Sequence, residues 1–284
     1  MIKYTLMCLG SLVTRLLPLR AAYAVAKILG GIAYWLFGDV RRIAESNFSV
    51  IFGGRLEDQE MKRLGKRLFI HLALNTVDLL RFPFVPCPEG FVRVKGEKLL
   101  RELYGAQKGV VLVSPHLGNW EMGGMALVKS GLPIHVVAEP ISPRRSLFSK
   151  DKIGNLYRRY REKLGMKTIA LEGSGMKELK VLKRGGILAL VADRDISGTG
   201  VEVDFFGMRV KVPRGPAALA VRTGAPIVLG VCVRGQDDRL CAILEQVKYD
   251  SQNVHEITQL LVEKMEQYIR SYPDQWFVLQ PPWS

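Results

Sequence analysis

His116 and Glu121 are the side chains of this 284-residue chain whose types and spacing best suit proton transfer. They stand in Val110-Val111-Leu112-Val113-Ser114-Pro115-His116-Leu117-Gly118-Asn119-Trp120-Glu121. An imidazole titrates near neutral pH, so it can take a proton from a hydroxyl and return it. A neighbouring carboxylate fixes the tautomer and stabilises the imidazolium that forms. The bland alternative is a histidine that merely caps a strand. The apolar run before His116, with Gly-Asn-Trp inside the gap, favours the general base, with Glu121 orienting the ring.

The elements around this pair must deliver it to one edge. The β-branched run 110–113 predicts a buried strand, and open α/β sheets place their sites at strand C-termini. Gly118 and Asn119 let the chain turn into a helix near 119–130, which stops at Gly131-Leu132-Pro133. From Phe91 onward the pattern alternates. Strands are predicted near 91–94, 109–114, 133–138, 167–170, 187–192, 227–233 and 240–247. Helices are predicted near 97–106, 119–130, 144–164, 174–184, 214–223 and 254–271. That order predicts an α/β fold: a mixed, largely parallel sheet sandwiched by helices, with antiparallel edges late in the chain and an N-terminal apolar helical segment. Residues 1–40 form that segment and 41–284 the α/β domain.

Two further strand ends reach the same edge. Glu139 follows the strand 133–138, and Asp193-Arg194-Asp195 follows 187–192. One acid beside His116 would hold it; two would raise its pKa. Either aspartate can be the one that faces in. Arg194 can bind a carrier phosphate or neutralise its neighbours. Between them runs a basic helix carrying Arg144, Arg145, Lys150, Lys152, Arg158, Arg159, Arg161 and Lys163. It reads as a solvated face, or as a receiver of lipid headgroups, coenzyme A phosphates or an acidic carrier protein, with Arg158 as the candidate contact.

His116-Leu-Gly-Asn-Trp-Glu121 resembles the His-four-residues-acid motif of the lipid A late acyltransferase (lauroyl/myristoyl transferase) family, which includes the phosphatidylinositol mannoside acyltransferases. Val137-Ala138-Glu139-Pro140, Ala192-Asp193-Arg194-Asp195, Val201-Glu202-Val203-Asp204-Phe205-Phe206-Gly207, Val212-Pro213-Arg214-Gly215-Pro216 and Thr223-Gly224-Ala225-Pro226 extend the resemblance in one order over roughly 40–279. The Asp-Arg-Asp and Phe-Phe-Gly blocks are closer to the mannoside branch. The resemblance implies a membrane-associated O-acyltransferase that uses acyl-CoA or acyl carrier protein as co-substrate and a lipid or glycolipid hydroxyl as acceptor, on the cytoplasmic face of the bacterial inner membrane. No other cofactor is implied. It raises Glu139 to a polar partner near the base or acceptor. Phe205 and Phe206 suit the lining of an acyl-chain pocket and equally an ordinary hairpin core. One departure is plain. After Gln275-Trp276-Phe277 the family's basic segment is replaced by Val278-Leu279-Gln280-Pro281-Pro282-Trp283.

Bulk composition agrees with an anionic partner. Forty-one basic residues against 27 acidic leave a net charge of +14, and 48% of the chain is hydrophobic. The apolar excess lies in residues 1–37, as two stretches joined at Pro18-Leu19-Arg20 and interrupted by Arg15, Arg20 and Lys27. Neither stretch reaches the ~18–20 uncharged residues of a comfortable span. An amphipathic, monotopic hairpin in the lipid interface fits better; the bland alternative is a helical pair packed on the core, and the two are compatible. Cys8, Cys87, Cys232 and Cys241 show no metal or redox spacing and suit a reducing compartment. His71, His116, His135 and His255 form no zinc pattern, so no metal is expected. Nucleic-acid binding is the rival for so basic a chain, but no helix-turn-helix, zinc-finger or aromatic RNA-binding pattern appears. A non-catalytic membrane protein with this fold is a further alternative, opposed by the intact His116 and Glu121.

Overall fold

A computed structural model describes residues 2–138, 152–170, 174–195 and 198–279, with side chains described for 7–137, 154–169, 175–195 and 198–279. The chain opens with four helices: α1 (Ile2–Leu16), α2 (Leu19–Leu36), α3 (Gly38–Ile51) and α4 (Asp58–Arg81). The alternating region follows as β1 (Val92–Lys95), α5 (Glu97–Gly105), β2 (Val110–Ser114), α6 (Trp120–Lys129), β3 (Ile134–Ala138), α7 (Lys152–Lys163), β4 (Lys167–Ala170), α8 (Ser174–Lys183) and β5 (Ile187–Val191). Then come β6 (Val201–Phe205), β7 (Met208–Val212), α9 (Gly215–Thr223), β8 (Ile227–Arg234), β9 (Leu240–Val247) and α10 (Val254–Ser271).

Seven strands form one sheet in the order β1-β9-β8-β2-β5-β3-β4. The strand that ends in Ser114-Pro115-His116 is thus central. It runs parallel to both neighbours, with Val111 opposite Leu188 and Ile227. Both faces of β2 are covered, which is why Val110 to Val113 read as an unbroken apolar run. One face packs on α8, α9 and α10, the other on α5 and α6. β8 and β9 are antiparallel because the five residues between them are too few for a crossover. The outer edge beyond β9 is β1, paired parallel to it, so the reversed edge contains an early strand as well as a late one.

β6 and β7, which the alternating pattern does not predict, form a separate two-stranded hairpin. Their turn is Phe206-Gly207, and both residues have positive φ, 53° and 76°. A bulky residue there is uncommon, so the usual Asn-Gly or Asp-Gly turn signal is missing. The predicted helix 144–164 is described only from Lys152, and Glu139 and residues 144–150 lie outside the described residues.

The N-terminal helices are two-sided. α2 buries Ala22, Tyr23, Ala26, Gly30 and Tyr34 at helical spacing against α4. A Cβ on Gly30 would lie 2.7 Å from the Ile70 backbone, so only glycine permits this crossing. The opposite side exposes Leu9, Leu12, Val13 and Leu16 of α1 and Val25, Ile28, Leu29, Ile32, Trp35 and Leu36 of α2. Among the described residues no single helix is long and apolar enough to cross a membrane. α2 and α3 reach that length only together, and they bend by 91°.

Candidate active site

His116 leaves the end of β2 and meets Asp193, which leaves the end of the adjacent β5. Its Nδ1 lies 2.6 Å from Asp193 Oδ1. The His116 backbone N–H donates to Oδ2 of the same carboxylate at 2.8 Å, and the Trp276 indole N–H donates to Oδ2 at 2.8 Å. The Asp193 side chain is fully buried, while 27% of the His116 side chain is exposed. Burial pushes the Asp193 carboxyl up. The His116 charge and the hydrogen bonds from His116 and Trp276 outweigh it and hold the carboxyl below its ordinary value. An ionised carboxylate facing Nδ1 requires the proton on that nitrogen, which makes Nε2 the basic one.

The loop that carries His116 is held by the segment 275–277 and by Cys232 of β8. Leu117 bridges to Trp276, Phe277 N–H donates to His116 O at 2.8 Å, and Gly118 N–H donates to Gln275 O at 2.8 Å. Gly118 has φ +68°, and a Cβ there would lie 2.0 Å from Cys232 O, so this turn needs glycine. Asn119 N–H donates to that same Cys232 carbonyl at 2.6 Å. The Asn119 side chain accepts from Met122 N and caps α6. The Trp120 ring meets the His116 ring edge-on, 5.3 Å between centroids.

Glu121 pairs with Arg161 rather than with the imidazole. Its Oε1 accepts from Arg161 Nε at 2.7 Å and lies 2.6 Å from Arg161 Nη2. Burial works against the Arg161 charge, yet Glu121 outweighs it and keeps the guanidinium above its ordinary value. The carboxylate in contact with the imidazole is thus that of Asp193, not the Glu121 expected from spacing. Glu121 sits in the first turn of α6, where the residue packed alongside decides its direction. That residue is on α7, which turns Leu156 and Tyr160 inward. Arg161 follows Tyr157 by four positions and shares the inner side, a signal present in the helical spacing. Arg158 stands on the exposed side, with its Nη2 3.1 Å from Asn155 Oδ1.

The remaining candidates divide. Asp195 accepts from Gly200 N–H at 2.8 Å and braces its own loop. Arg194 is half-buried beside Asp193. Phe205 and Phe206 stack on each other, centroids 4.8 Å apart, and both pack on Trp276 at 5.9 and 6.2 Å. They belong to the core on the α10 side and support the indole that donates to Asp193. An apolar cavity lies instead on the other face, between α6 and the sheet. Ser114, Trp120 and Glu121 line it on the side toward the site; Gly123, Gly124, Met166 and Gly230 line it further in. It measures about 70 Å³. Among the described residues no cluster of His, Cys, Asp and Glu is arranged to hold a metal ion.

The chain matches the family described as bacterial lipid A biosynthesis acyltransferase over residues 1–284. It is 36% identical over 185 residues to a phosphatidylinositol mannoside acyltransferase of Mycolicibacterium smegmatis, covering 63% of this chain and 58% of that protein. A protein of the same name from Mycobacterium tuberculosis is 38% identical over 185 residues, 62% of this chain and 54% of its own length. The matched region thus spans little more than half of these relatives.

Proposed function

Because the chain belongs to the bacterial lipid A biosynthesis acyltransferase family, we propose that it moves a fatty acyl group from an acyl thioester to a hydroxyl of a glycolipid, with His116 as general base. The observation that carries this reading is the buried Asp193 carboxylate 2.6 Å from His116 Nδ1, beside an apolar cavity at the same sheet edge. The acceptor hydroxyl oxygen attacks the thioester carbonyl while His116 Nε2 takes its proton. The tetrahedral intermediate collapses with loss of the C–S bond, and the imidazolium returns the proton to the leaving thiolate. The products are an ester and a free thiol. Asp193 stays ionised throughout and balances the imidazolium. The likeness to two mannoside acyltransferases favours a mannosylated phosphatidylinositol over lipid A as acceptor. Coenzyme A or acyl carrier protein is the donor.

The direct test incubates the full-length protein with either acyl thioester and with phosphatidylinositol mannoside or a lipid A precursor. Mass spectrometry should find one acyl ester per thiol released. Thiol release without ester would make the protein a thioesterase and sink the transferase reading.

The cavity between α6 and the sheet is proposed to take the acyl chain. At about 70 Å³ it is narrow, so a long chain must displace adaptable side chains such as Met166. A Cβ on Gly230 would already touch Leu112 and Leu244 at 3.1 and 3.2 Å. Gly230→Val should therefore shift the preferred donor to a shorter chain. Each methylene denied a place costs about 0.8 kcal/mol, roughly fourfold in kcat/KM. An unchanged chain-length profile in a folded variant would move the acyl site elsewhere.

Membrane contact is proposed for the exposed apolar side of α1 and α2. Removing these helices is a poor test, because α2 also buries Tyr23 and Tyr34 against α4. Replacing Ile28, Ile32 and Trp35 together by Glu leaves the buried side intact. The variant should leave anionic vesicles for the soluble fraction with little change in melting temperature. High salt should release the wild-type protein only partly, since it screens charge and not apolar burial. Full vesicle retention by the triple variant would exclude this surface.

A further inference from the structure

Two residues past His116, the catalytic loop is tied to a buried polar network that reaches the N-terminal hairpin. Its hub is Asp78 of α4, whose side chain is fully buried and ion-paired with the equally buried Arg234 of β8. Asp78 Oδ2 also accepts from Asn119 Nδ2 at 2.8 Å. Asp78 Oδ1 accepts from the Tyr23 hydroxyl of α2. Arg234 Nη2 donates to Asn75 Oδ1 at 2.9 Å, and Asn75 Nδ2 donates to Gly118 O at 2.9 Å. Burial holds the Tyr23 phenol protonated, so it is a donor to the carboxylate.

We propose that Asp78 is a positioning residue for the His116 loop, and that Tyr23 makes this positioning depend on how the N-terminal hairpin is seated. The proposal rests on the reading of His116 as the base. Asn119 and Gly118 receive the two arms of the network, one on each side of their shared peptide bond. Those two residues set the path from His116 to Trp120, whose ring borders both the imidazole and the cavity. Tyr23 lies on the buried side of α2, while Ile28, Ile32 and Trp35 lie on its exposed side. A lipid surface that seats the exposed side therefore also presses Tyr23 onto Asp78. Each side chain of this buried network has at least one partner within it, although Arg234 Nε itself has none among the described residues, and loss of one donor loosens the rest. Misplacing a catalytic group by about 1 Å costs roughly 10²-fold, so a partial loosening is expected to cost about tenfold.

The test uses the full-length protein on anionic vesicles and compares Tyr23→Phe with Tyr34→Phe. Tyr34 is also buried on α2, but its hydroxyl faces Glu45, away from the loop. Tyr23→Phe should lower kcat about tenfold, leave the KM for acyl donor within about twofold, and speed amide exchange at Gly118 and Asn119. Tyr34→Phe should change none of these. Asn75→Ala should act as Tyr23→Phe does and carries the test if that variant fails to fold. The double variant should lose less than the product of the two single losses, because both act through one hub. Wild-type kcat and wild-type exchange in Tyr23→Phe, or single losses that multiply in full, would overturn the proposal. The exchange measurement needs no substrate. If the wild-type protein transferred no acyl group, the functional reading would fail while exchange still decided the coupling.

Discussion

His116→Ala is expected to lower the turnover of acyl transfer by about 10³-fold, within the range that a positioned base contributes. The stability of the variant separates chemistry from folding. Removing the imidazole leaves the buried Asp193 carboxylate with the His116 backbone N–H and the Trp276 indole as donors. A buried charge stripped of one partner costs about 1–3 kcal/mol. Changing Asp193 to Asn in the same chain removes the charge, so His116→Ala/Asp193→Asn should be more stable than His116→Ala and equally inactive. The pH dependence has a definite sign. The Asp193 carboxyl is held below its ordinary value, so its pairing stabilises the fold above the unfolded carboxylate pKa, about 4. That contribution is lost as pH falls through the lower folded value. The melting temperatures of wild type and His116→Ala should differ at neutral pH and converge in acid. Undiminished transfer by pure His116→Ala would end the general-base assignment.

Sheet-edge logic made much of this site legible. An apolar run that ends in Ser-Pro-His, and another that ends in Ala-Asp-Arg-Asp, must deliver polar groups to one edge if both strands are parallel. β2 and β5 are parallel neighbours, and the distance from Nδ1 to Oδ1 follows from that adjacency. The choice between Asp193 and Asp195 was not legible, because the two positions would share a face in a strand and both lie past the end of β5, where the loop path decides which carboxylate turns inward. Helical spacing puts Arg161 on the inner side of α7, but its pairing with Glu121, forty positions earlier, was not legible, since spacing does not say which element α7 packs against. Trp276 lies 83 positions from Asp193 and joins it only once β8 and α10 have been laid down. Phe205 and Phe206 show the limit of composition. Two aromatics suit an acyl pocket, but the positive φ of Phe206 turns them into a hairpin that stacks under Trp276. The cavity is instead shaped by Gly123, Gly124 and Gly230, residues whose contribution is the side chain they lack.

Asp193→Asn should cost far more activity than Glu121→Gln, the reverse of what the His-four-residues-acid spacing suggests. An asparagine at 193 can still receive the His116 and Trp276 N–H groups, so the loop keeps its shape. It can instead present an amide N–H to Nδ1, which stabilises the tautomer that carries its proton on Nε2. A base protonated on the wrong nitrogen cannot accept one, and an orienting carboxylate lost in this way costs about 10⁴-fold in turnover. The loss should fall almost wholly on kcat, because Asp193 is fully buried and is not among the residues that line the cavity. Glu121→Gln acts through a different partner. It leaves the imidazole clamped and removes the charge that faces Arg161, whose side chain is only 17% exposed. An uncompensated buried guanidinium destabilises the fold, so this variant should lose thermal stability as well as activity. Adding Arg161→Gln should recover part of that stability by removing the stranded charge. If Glu121→Gln were instead the more damaging change in turnover, with Asp193→Asn near wild type, the carboxylate that balances His116 during catalysis would be Glu121. The Asp193 contact would then be only a brace that holds the ends of β2 and β5 together.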